Sequence, residues 1–350
     1  MGQTRAEDSR KPPASTNVVG PRTFAKTATR IRHIVERPRC NHGGMKLGFA
    51  LPHTIELPAI TARWEFNVTG PEQAAIGRRA EELGYDMISI PEHFVVPHSH
   101  LELSGPHYLH STVGQAFIAG ATQRIRVNSS VTILPLQHPI VTAKALATAD
   151  WMSGGRVMVT FGVGWDPEEF KALGVPFHER GRMADEYLAA IVELWTSESP
   201  SFAGKYVSFE NIAFAPKPVQ RPHLPIWIGG DADAVLKRAA KYGSGWWPFL
   251  TKPEEIPAKI DFLKSQPMYD GRPFDVMYPL GMGRVGEGHV SIDDPKQRSG
   301  MSAQEIIDRL NEYADMGVTF TSVPTPRMSG VEAYMEFAQW VIEEIKPHLP

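Results

Sequence analysis

An acid and an imidazole stand side by side at residues 90–94 (IPEHF), where a short apolar run ends. Imidazole titrates near neutral pH, and a neighbouring carboxylate can fix its tautomer or raise its proton affinity. Glu92 and His93 are therefore candidates to donate or accept a proton in catalysis. A structural histidine bonded to a loop carbonyl would explain the same residues, and the sequence leaves both interpretations open.

Four more histidines follow closely, and they are His98, His100, His107 and His110. Imidazole is a good ligand for Zn, Fe or Ni, so this cluster defines an alternative function, that of a metal-dependent hydrolase. A metal site in a barrel normally draws ligands from several strand ends, and the last predicted strand, 318–323, contains no His, Asp or Glu. We therefore predict no metal site.

Three segments offer room or hydrogen-bond donors to a bound ligand. The small hydroxylated residues of 128–131 (NSSV) leave space for a flat ring, although a polar strand end bonded to water would look the same. Residues 162–165 (GVGW) combine close backbone approach with an aromatic wall, but they lack the third glycine and the acid of a dinucleotide fingerprint. Residues 228–231 (IGGD) lead into a helix whose N-terminal N–H groups suit a phosphate, unless Asp231 caps that helix itself.

Alternating strands and helices must position these segments. We predict strands at 46–51, 87–90, 125–133, 157–162, 225–228, 245–247, 276–285 and 318–323. The predicted helices are 71–83, 109–121, 140–152, 180–195, 231–242, 253–264, 303–316 and 331–345, with left-handed caps at Gly84, Gly243 and Gly317. Repetition of strand, loop and helix builds a parallel sheet, and eight such units close an α/β fold, the (β/α)8 TIM barrel, whose active site lies at the carboxyl ends of the strands.

Two insertions are predicted at the carboxyl-terminal face of this barrel. Residues 202–215 alternate aromatic and polar side chains, which predicts a small hairpin. Residues 286–300 are polar and rich in Gly, Asp and Lys, which predicts a mobile excursion near the barrel mouth. Either insertion could form a lid.

The composition, with 42% hydrophobic and 21% charged residues, is typical of a globular protein with a large apolar core. No run of about 18 apolar residues occurs, so no membrane span is predicted. The single cysteine, Cys40, excludes disulfide scaffolding and multi-cysteine metal sites, and a cytoplasmic location is expected.

The charge is distributed unevenly along the chain. Residues 1–44 carry nine Lys or Arg against three acids, a net +6, which leaves −9 for the remainder of a chain with formal net charge −3. Such a leader could be a nucleic-acid arm or an organelle transit peptide. It has no apolar core and no sustained periodicity, so we favour a disordered extension at 1–44, no nucleic-acid partner, and a catalytic domain at 45–350.

Short motifs follow one another in a fixed order along that domain. They are 129–131 (SSV), 134–135 (LP), 138–139 (HP), 147–150 (ATAD), 153–156 (SGGR), 162–165 (GVGW), 169–170 (EF), 216–222 (PKPVQRP), 228–230 (IGG), 238–240 (RAA) and 243–246 (GSGW). Together they resemble the luciferase-like monooxygenase superfamily, and more narrowly its oxidoreductases that depend on the deazaflavin coenzyme F420. The resemblance extends from Met45 to Leu349.

The resemblance implies a barrel that binds F420, or alternatively FMN, with its ring backed by a non-proline cis peptide at Ser130–Val131. It implies hydride transfer to or from a small organic substrate, with His93 exchanging the accompanying proton and Glu92 beside it. The phosphate would lie near Gly229 and Gly230. The implied cofactor contacts are Ser129, Ser130, Val131, Gly162, Gly164, Trp165, Gly229 and Gly230.

The chain departs from the related sugar-phosphate dehydrogenases at two places. Trp165 replaces a carboxylate, and residues 95–97 (VVP) replace a tryptophan. Both differences argue against that substrate, while His53 and Trp247 at the predicted mouth favour a hydrophobic or heterocyclic one. A monooxygenase using reduced FMN and oxygen, and a barrel that only binds a ligand, remain alternatives, and a homodimer is common among similar barrels.

Overall fold

The computed structural model describes residues 44–58, 61–280, 301–325 and 328–350. The predicted leader, apart from Gly44, and the predicted excursion at 286–300 lie outside the described residues. Within the described part of the chain, no helix is both long and apolar enough to cross a membrane.

Parallel strands form the centre of the fold. They are β1 (Lys46–Ala50), β2 (Met87–Ile90), β3 (Arg126–Ser129), β4 (Thr132–Ile133), β5 (Val159–Gly162), β8 (Ile226–Gly229), β9 (Gly245–Trp247), β10 (Asp275–Val276) and β11 (Phe320–Thr321). Between β5 and β8, the short strands β6 (Phe202–Ala203) and β7 (Ser208–Phe209) pair antiparallel, which confirms the predicted hairpin.

The parallel strands belong to two sheets, with the orders β11-β1-β2-β3 and β10-β9-β8-β5-β4. Single parallel bridges join these sheets at both edges, between Val127 and Val157 and between Met277 and Phe320. The backbone N–H groups of Met158 and Tyr278 donate to Val127 and Phe320, each at 2.9 Å, at these two junctions. The eight strand positions therefore form the predicted barrel.

Helices surround the strands. They are α1 (Gly70–Leu83), α2 (Leu101–Ser104), α3 (Ser111–Ala121), α4 (Pro139–Ser153), α5 (Pro167–Ala172), α6 (Arg180–Thr196), α7 (Asp233–Tyr242), α8 (Ile256–Lys264), α9 (Ala303–Asp315) and α10 (Val331–Trp340). The eight predicted helices are present, and the short helices α2 and α5 were not predicted.

The glycines after three helices behave differently from one another. Gly84 and Gly317 have φ values of 96° and 94°, as predicted for left-handed caps. Gly243 has φ −90° and ψ 152°, so that prediction is wrong. A Cβ at Gly243 would lie 3.1 Å from the Cα atom of Ala239, so this glycine is required by close packing and not by its backbone angle.

The predicted third strand, 125–133, is divided into β3 and β4. Thr132 and Ile133 pair with β5, whereas β3 pairs with β2. Deeper in the barrel, large side chains fill the interior, as expected for a closed barrel of eight strands. This inner cluster consists of Met87, Met158, Trp227, Met277 and Phe320.

Candidate active site

His93 follows β2 and is held by a carboxylate from another loop. Its Nδ1 atom lies 2.8 Å from Oε2 of Glu169. The side chain of His93 is 11% exposed and that of Glu169 is fully buried. Because a carboxylate can only accept, a neutral His93 ring carries its hydrogen on Nδ1 and leaves Nε2 as an acceptor. The ring is thus bonded to an acid, and not to a loop carbonyl as a purely structural histidine would be.

Glu169 lies on α5 and was not predicted as a site residue. Its Oε1 atom accepts the backbone N–H of Phe94 at 2.7 Å and that of Val95 at 3.4 Å. One buried acid therefore fixes both the His93 ring and the backbone that follows it. Helix α5 places Glu169 there because Asp166 caps its first turn with a side-chain oxygen. The only sequence signal was the motif at 169–170.

The predicted pairing of Glu92 with His93 is wrong. The carboxylate of Glu92 is buried behind the strand ends, where Oε2 accepts the N–H of Ser111 at 3.0 Å and its hydroxyl at 2.7 Å. Its Oε1 atom accepts from the N–H of Ile133 at 3.0 Å and from the side chain of Gln137 at 2.8 Å. The carboxylate of Glu92 therefore connects the start of α3 to the end of β4 and is not bonded to the His93 ring.

The peptide bond between Ser130 and Val131 is cis, as predicted. Ser129, however, is fully buried, and its hydroxyl oxygen accepts from Thr132 Oγ1 at 2.8 Å and from the N–H of Thr160 at 3.1 Å. The Ser129 hydroxyl is therefore committed to the protein interior and does not line open space at the mouth. Ser130 and Val131 are half-buried and can contact a ligand.

Two predicted glycines are explained by the side chain of Val131. A Cβ atom at Gly162 would lie 2.5 Å from Cγ2 of Val131, and one at Gly229 would lie 2.8 Å from Cγ1. Gly164 has φ +76°, and a Cβ there would lie 2.6 Å from the ring of Phe170. The absence of side chains at 162 and 229 therefore allows Val131 to pack across two neighbouring strand ends.

Apolar side chains are exposed in loops that follow β1, β2, β5 and β9, which places them at one face of the barrel. Their exposed fractions range from 45% to 75% for Phe66, Val95, Trp165, Phe249 and Leu250. The ring of Trp165 is 5.8 Å from that of His93, and the ring of Tyr108 is 4.6 Å from it. Burial raises the pKa of Tyr108, so its hydroxyl stays protonated at neutral pH.

The other histidines do not form one cluster. His100 Nδ1 is 2.9 Å from an oxygen of Asp166, and His107 stacks on His53 with a centroid distance of 4.1 Å. His110 is 3.4 Å from the carboxylate of Glu92. Within the part of the chain that the structure describes, no three His, Cys, Asp or Glu side chains could hold a metal ion together. This geometry gives no support to the metal-dependent hydrolase.

The loop between β8 and α7 differs in detail from its prediction. The N–H of Gly230 donates to the carbonyl of Trp247 at 2.9 Å, so it is not free for a phosphate. Asp231 does not cap α7, because its carboxylate accepts the N–H groups of residues 249–251 at 2.8–3.0 Å. The helix has Ala232 as its N-cap and no side-chain capping bond, which leaves its first N–H groups without a partner from a cap.

A family model described as "Luciferase-like monooxygenase" matches residues 45–298. The chain belongs to this family. The predicted fold class and the prediction of an enzyme of the luciferase-like type are thereby confirmed.

Relatives of this luciferase-like chain extend the comparison. An uncharacterized protein of Mycobacterium tuberculosis is 29% identical over 283 residues, which cover 76% of this chain and 92% of the relative. An FMNH2-dependent dimethylsulfone monooxygenase of Pseudomonas putida is 32% identical over 163 residues, 46% of this chain and 44% of that protein.

The fold of this luciferase-like chain is also that of a coenzyme F420-dependent tetrahydromethanopterin reductase from Methanopyrus kandleri. The TM-score is 0.63 with 18% sequence identity, and the match covers 88% of this chain and all of the reductase. At this identity the likeness establishes the fold alone. The proteins similar to this chain thus include one named for FMNH2 and one named for coenzyme F420.

Proposed function

We propose that this chain is an F420-dependent oxidoreductase that exchanges a hydride with a small organic substrate at the carboxyl-terminal face of its barrel. The coenzyme would supply the hydride, and the chain's own residues would supply binding, orientation and a proton. The observation that carries the proposal is the bond between His93 and buried Glu169. A hydride exchange with a carbonyl or alcohol requires a group that donates or accepts a proton. The pair of His93 and Glu169 would provide that group.

His93 would handle the proton at Nε2. The 2.8 Å contact to Glu169 holds the hydrogen on Nδ1, so the neutral ring can accept a proton at Nε2 and the protonated ring can return it. The fully buried carboxylate would hold the ring and its Nδ1 hydrogen in place in both directions of the reaction. Glu169 replaces Glu92 as the acid of this mechanism, and we assign Glu92 the role of positioning the segment after the cis peptide.

The mouth would hold a coenzyme with a flat ring and a phosphate. Val131 packs against Gly162 and Gly229 and would support the ring from below, while Trp165 would border it. The uncapped start of α7 offers backbone N–H groups and the positive end of the helix dipole to a phosphate. We therefore keep Gly229 and Gly230 near the proposed phosphate, with the first turn of α7 as the donor.

A monooxygenase that uses reduced FMN and oxygen is the second candidate. The observation in its favour is the 32% identity with the Pseudomonas putida enzyme, whose name specifies FMNH2. The same residues around Val131 and α7 would hold FMN, because F420 and FMN both carry a tricyclic ring and a phosphate. The small-molecule substrate and the homodimer stay predictions under both candidates.

The deciding experiment titrates the purified protein with F420 and, separately, with FMN, and follows coenzyme fluorescence polarisation. We expect F420 to bind more tightly, and His93→Gln to retain this binding while abolishing oxidation of reduced F420 by a panel of ketones and quinones. Binding of FMN alone, with oxygen consumption in the presence of reduced FMN, would replace the proposal by the second candidate. Full activity in His93→Gln would contradict the assigned proton transfer.

A further inference from the structure

A second imidazole–carboxylate pair contacts the same indole as His93. His100 Nδ1 lies 2.9 Å from Oδ2 of Asp166, and the His100 ring centroid is 5.3 Å from that of Trp165. The ring of His93 lies 5.8 Å from the same indole. Two imidazoles therefore border one exposed aromatic side chain, and the proposed function uses only one of them.

Both acids of these pairs come from the start of α5. Asp166 is the N-cap and Glu169 lies three residues later, so their side chains lie on one face of the first turn. Asp166 is 2% exposed and Glu169 is fully buried. Because neither carboxylate can turn to solvent, each holds its imidazole through Nδ1 and directs the opposite nitrogen away from the helix.

The Nε2 atom of His100 is available to a ligand. The carboxylate of Asp166 accepts the Nδ1 hydrogen, and among the described residues no hydrogen bond is made by Nε2. The side chain is 30% exposed, so part of the ring is accessible. A protonated His100 would donate a charge-assisted hydrogen bond to an oxygen, with Asp166 neutralising its charge.

We propose that His100 and Trp165 form a substrate subsite for planar, conjugated carbonyl compounds. The indole, 48% exposed, provides a flat apolar surface for stacking. Protonated His100 donates from Nε2 to a carbonyl oxygen of the stacked molecule and takes no part in bond making or breaking. The binding measurements therefore belong at a pH below the ordinary imidazole pKa of about 6.5. This subsite deepens the proposed function, on which it rests for the reaction, but ligand binding by the subsite can be measured without any coenzyme.

Two ligands of equal size and charge test the subsite. Anthraquinone-2-sulfonate carries two carbonyl oxygens, and anthracene-2-sulfonate carries none, so the difference between their affinities measures carbonyl recognition. Their dissociation constants are measured by calorimetry with the coenzyme-free protein. His98→Gln is the matched control, because His98 is an exposed histidine two residues away with no side-chain bond among the described residues.

We expect His100→Gln to weaken binding of the anthraquinone about tenfold, as for the loss of one hydrogen bond to a charged donor, and to leave anthracene binding unchanged. Trp165→Leu should weaken both ligands, because stacking does not depend on the carbonyls. Asp166→Asn keeps a helix-capping side chain but removes the charge. The neutral His100 ring then carries its hydrogen on Nε2 and still donates, so this variant should weaken anthraquinone binding less than His100→Gln does. His98→Gln should change neither affinity.

The subsite is disproved if His100→Gln binds both ligands like His98→Gln, or weakens both equally. Thermal unfolding of each variant identifies any loss of structure. If His100→Gln is unfolded, anthraquinone binding by Asp166→Asn tests the subsite in its place. A protein that binds neither F420 nor FMN but keeps the His100-dependent discrimination would refute the proposed function and retain the subsite. Coenzyme binding without that discrimination would refute the subsite and retain the proposed function.

Discussion

Replacement of Glu169 by Gln is the sharpest test of the proton-transfer geometry. The Gln amide oxygen can still accept the N–H of Phe94, which Glu169 accepts at 2.7 Å. Its amide nitrogen then faces Nδ1 of His93, where Oε2 of Glu169 lies at 2.8 Å. An amide nitrogen only donates, so the neutral ring must carry its hydrogen on Nε2 and expose a donor where an acceptor is needed.

The size of the effect follows from this change of tautomer. A correctly placed general acid or base contributes about 10²–10⁴-fold to a rate, so we expect Glu169→Gln to slow the hydride-transfer step by that factor. The loss corresponds to about 3–5 kcal/mol of transition-state stabilisation. Binding of the coenzyme should change little, because Val131 and the start of α7 are left intact.

Two measurements check this expectation. Stopped-flow oxidation of reduced F420 by the best acceptor of the ketone and quinone panel gives the rate, and ¹⁵N chemical shifts of His93 identify the protonated ring nitrogen without any substrate. Glu168→Gln is the control, since Glu168 is exposed on the same helix. An unchanged rate, or an unchanged tautomer in Glu169→Gln, would refute the reasoning.

Three further predictions concern the scaffold, and urea unfolding measures each. Gly162→Ala should lower the free energy of unfolding by about 1–3 kcal/mol, because its Cβ would lie 2.5 Å from Val131, and adding Val131→Ala should restore most of the loss. Burial lowers the pKa of His223, so the unfolded chain binds a proton that the folded chain does not, and stability should fall from about pH 7.5 to about pH 5.5. His223→Gln should reduce that fall. Arg156→Lys should cost about 1–3 kcal/mol, because the guanidinium donates to the carbonyls of Ala119 in the last turn of α3 and of Thr122 just after it, and an ammonium cannot reproduce the fork. No loss of stability in Gly162→Ala or Arg156→Lys, or an unaltered pH dependence in His223→Gln, would contradict the corresponding contact.

The barrel could be predicted from the sequence because the patterns that indicate its strands and helices are local. Short apolar runs and helices of regular period mark each unit, and the structure has a strand and a helix in every predicted unit. Of the predicted strand 276–285, however, only Val276 lies in a strand, and residues 281–285 are outside the described part of the chain. Periodicity does not predict the break in the third strand, because residues 125–133 form one continuous segment of mixed apolar and polar residues. The resemblance alone located the cis peptide there.

The site was predicted only in part because its bonds are not local. Glu169 is 76 residues from His93, and no spacing rule connects two loops that meet only when the barrel closes. Glu92 was chosen because it is adjacent in sequence. Asp231 was considered a helix cap for the same reason, but the strand end turns its carboxylate toward residues 249–251.

Glu92, which takes no part in the proposed proton transfer, has a different role. Glu92 and His93 both follow β2, and the His93 ring pairs with Glu169 whereas the Glu92 carboxylate is buried behind the strand ends. There Glu92 accepts the N–H of Ile133, two residues after Val131, and thereby fixes the segment that follows the cis peptide. Glu92 and His93, which are adjacent in sequence, would thus act on the proposed site from two sides. In the proposed mechanism His93 would face the reacting atoms, and Glu92 would fix the position of Val131 beneath them.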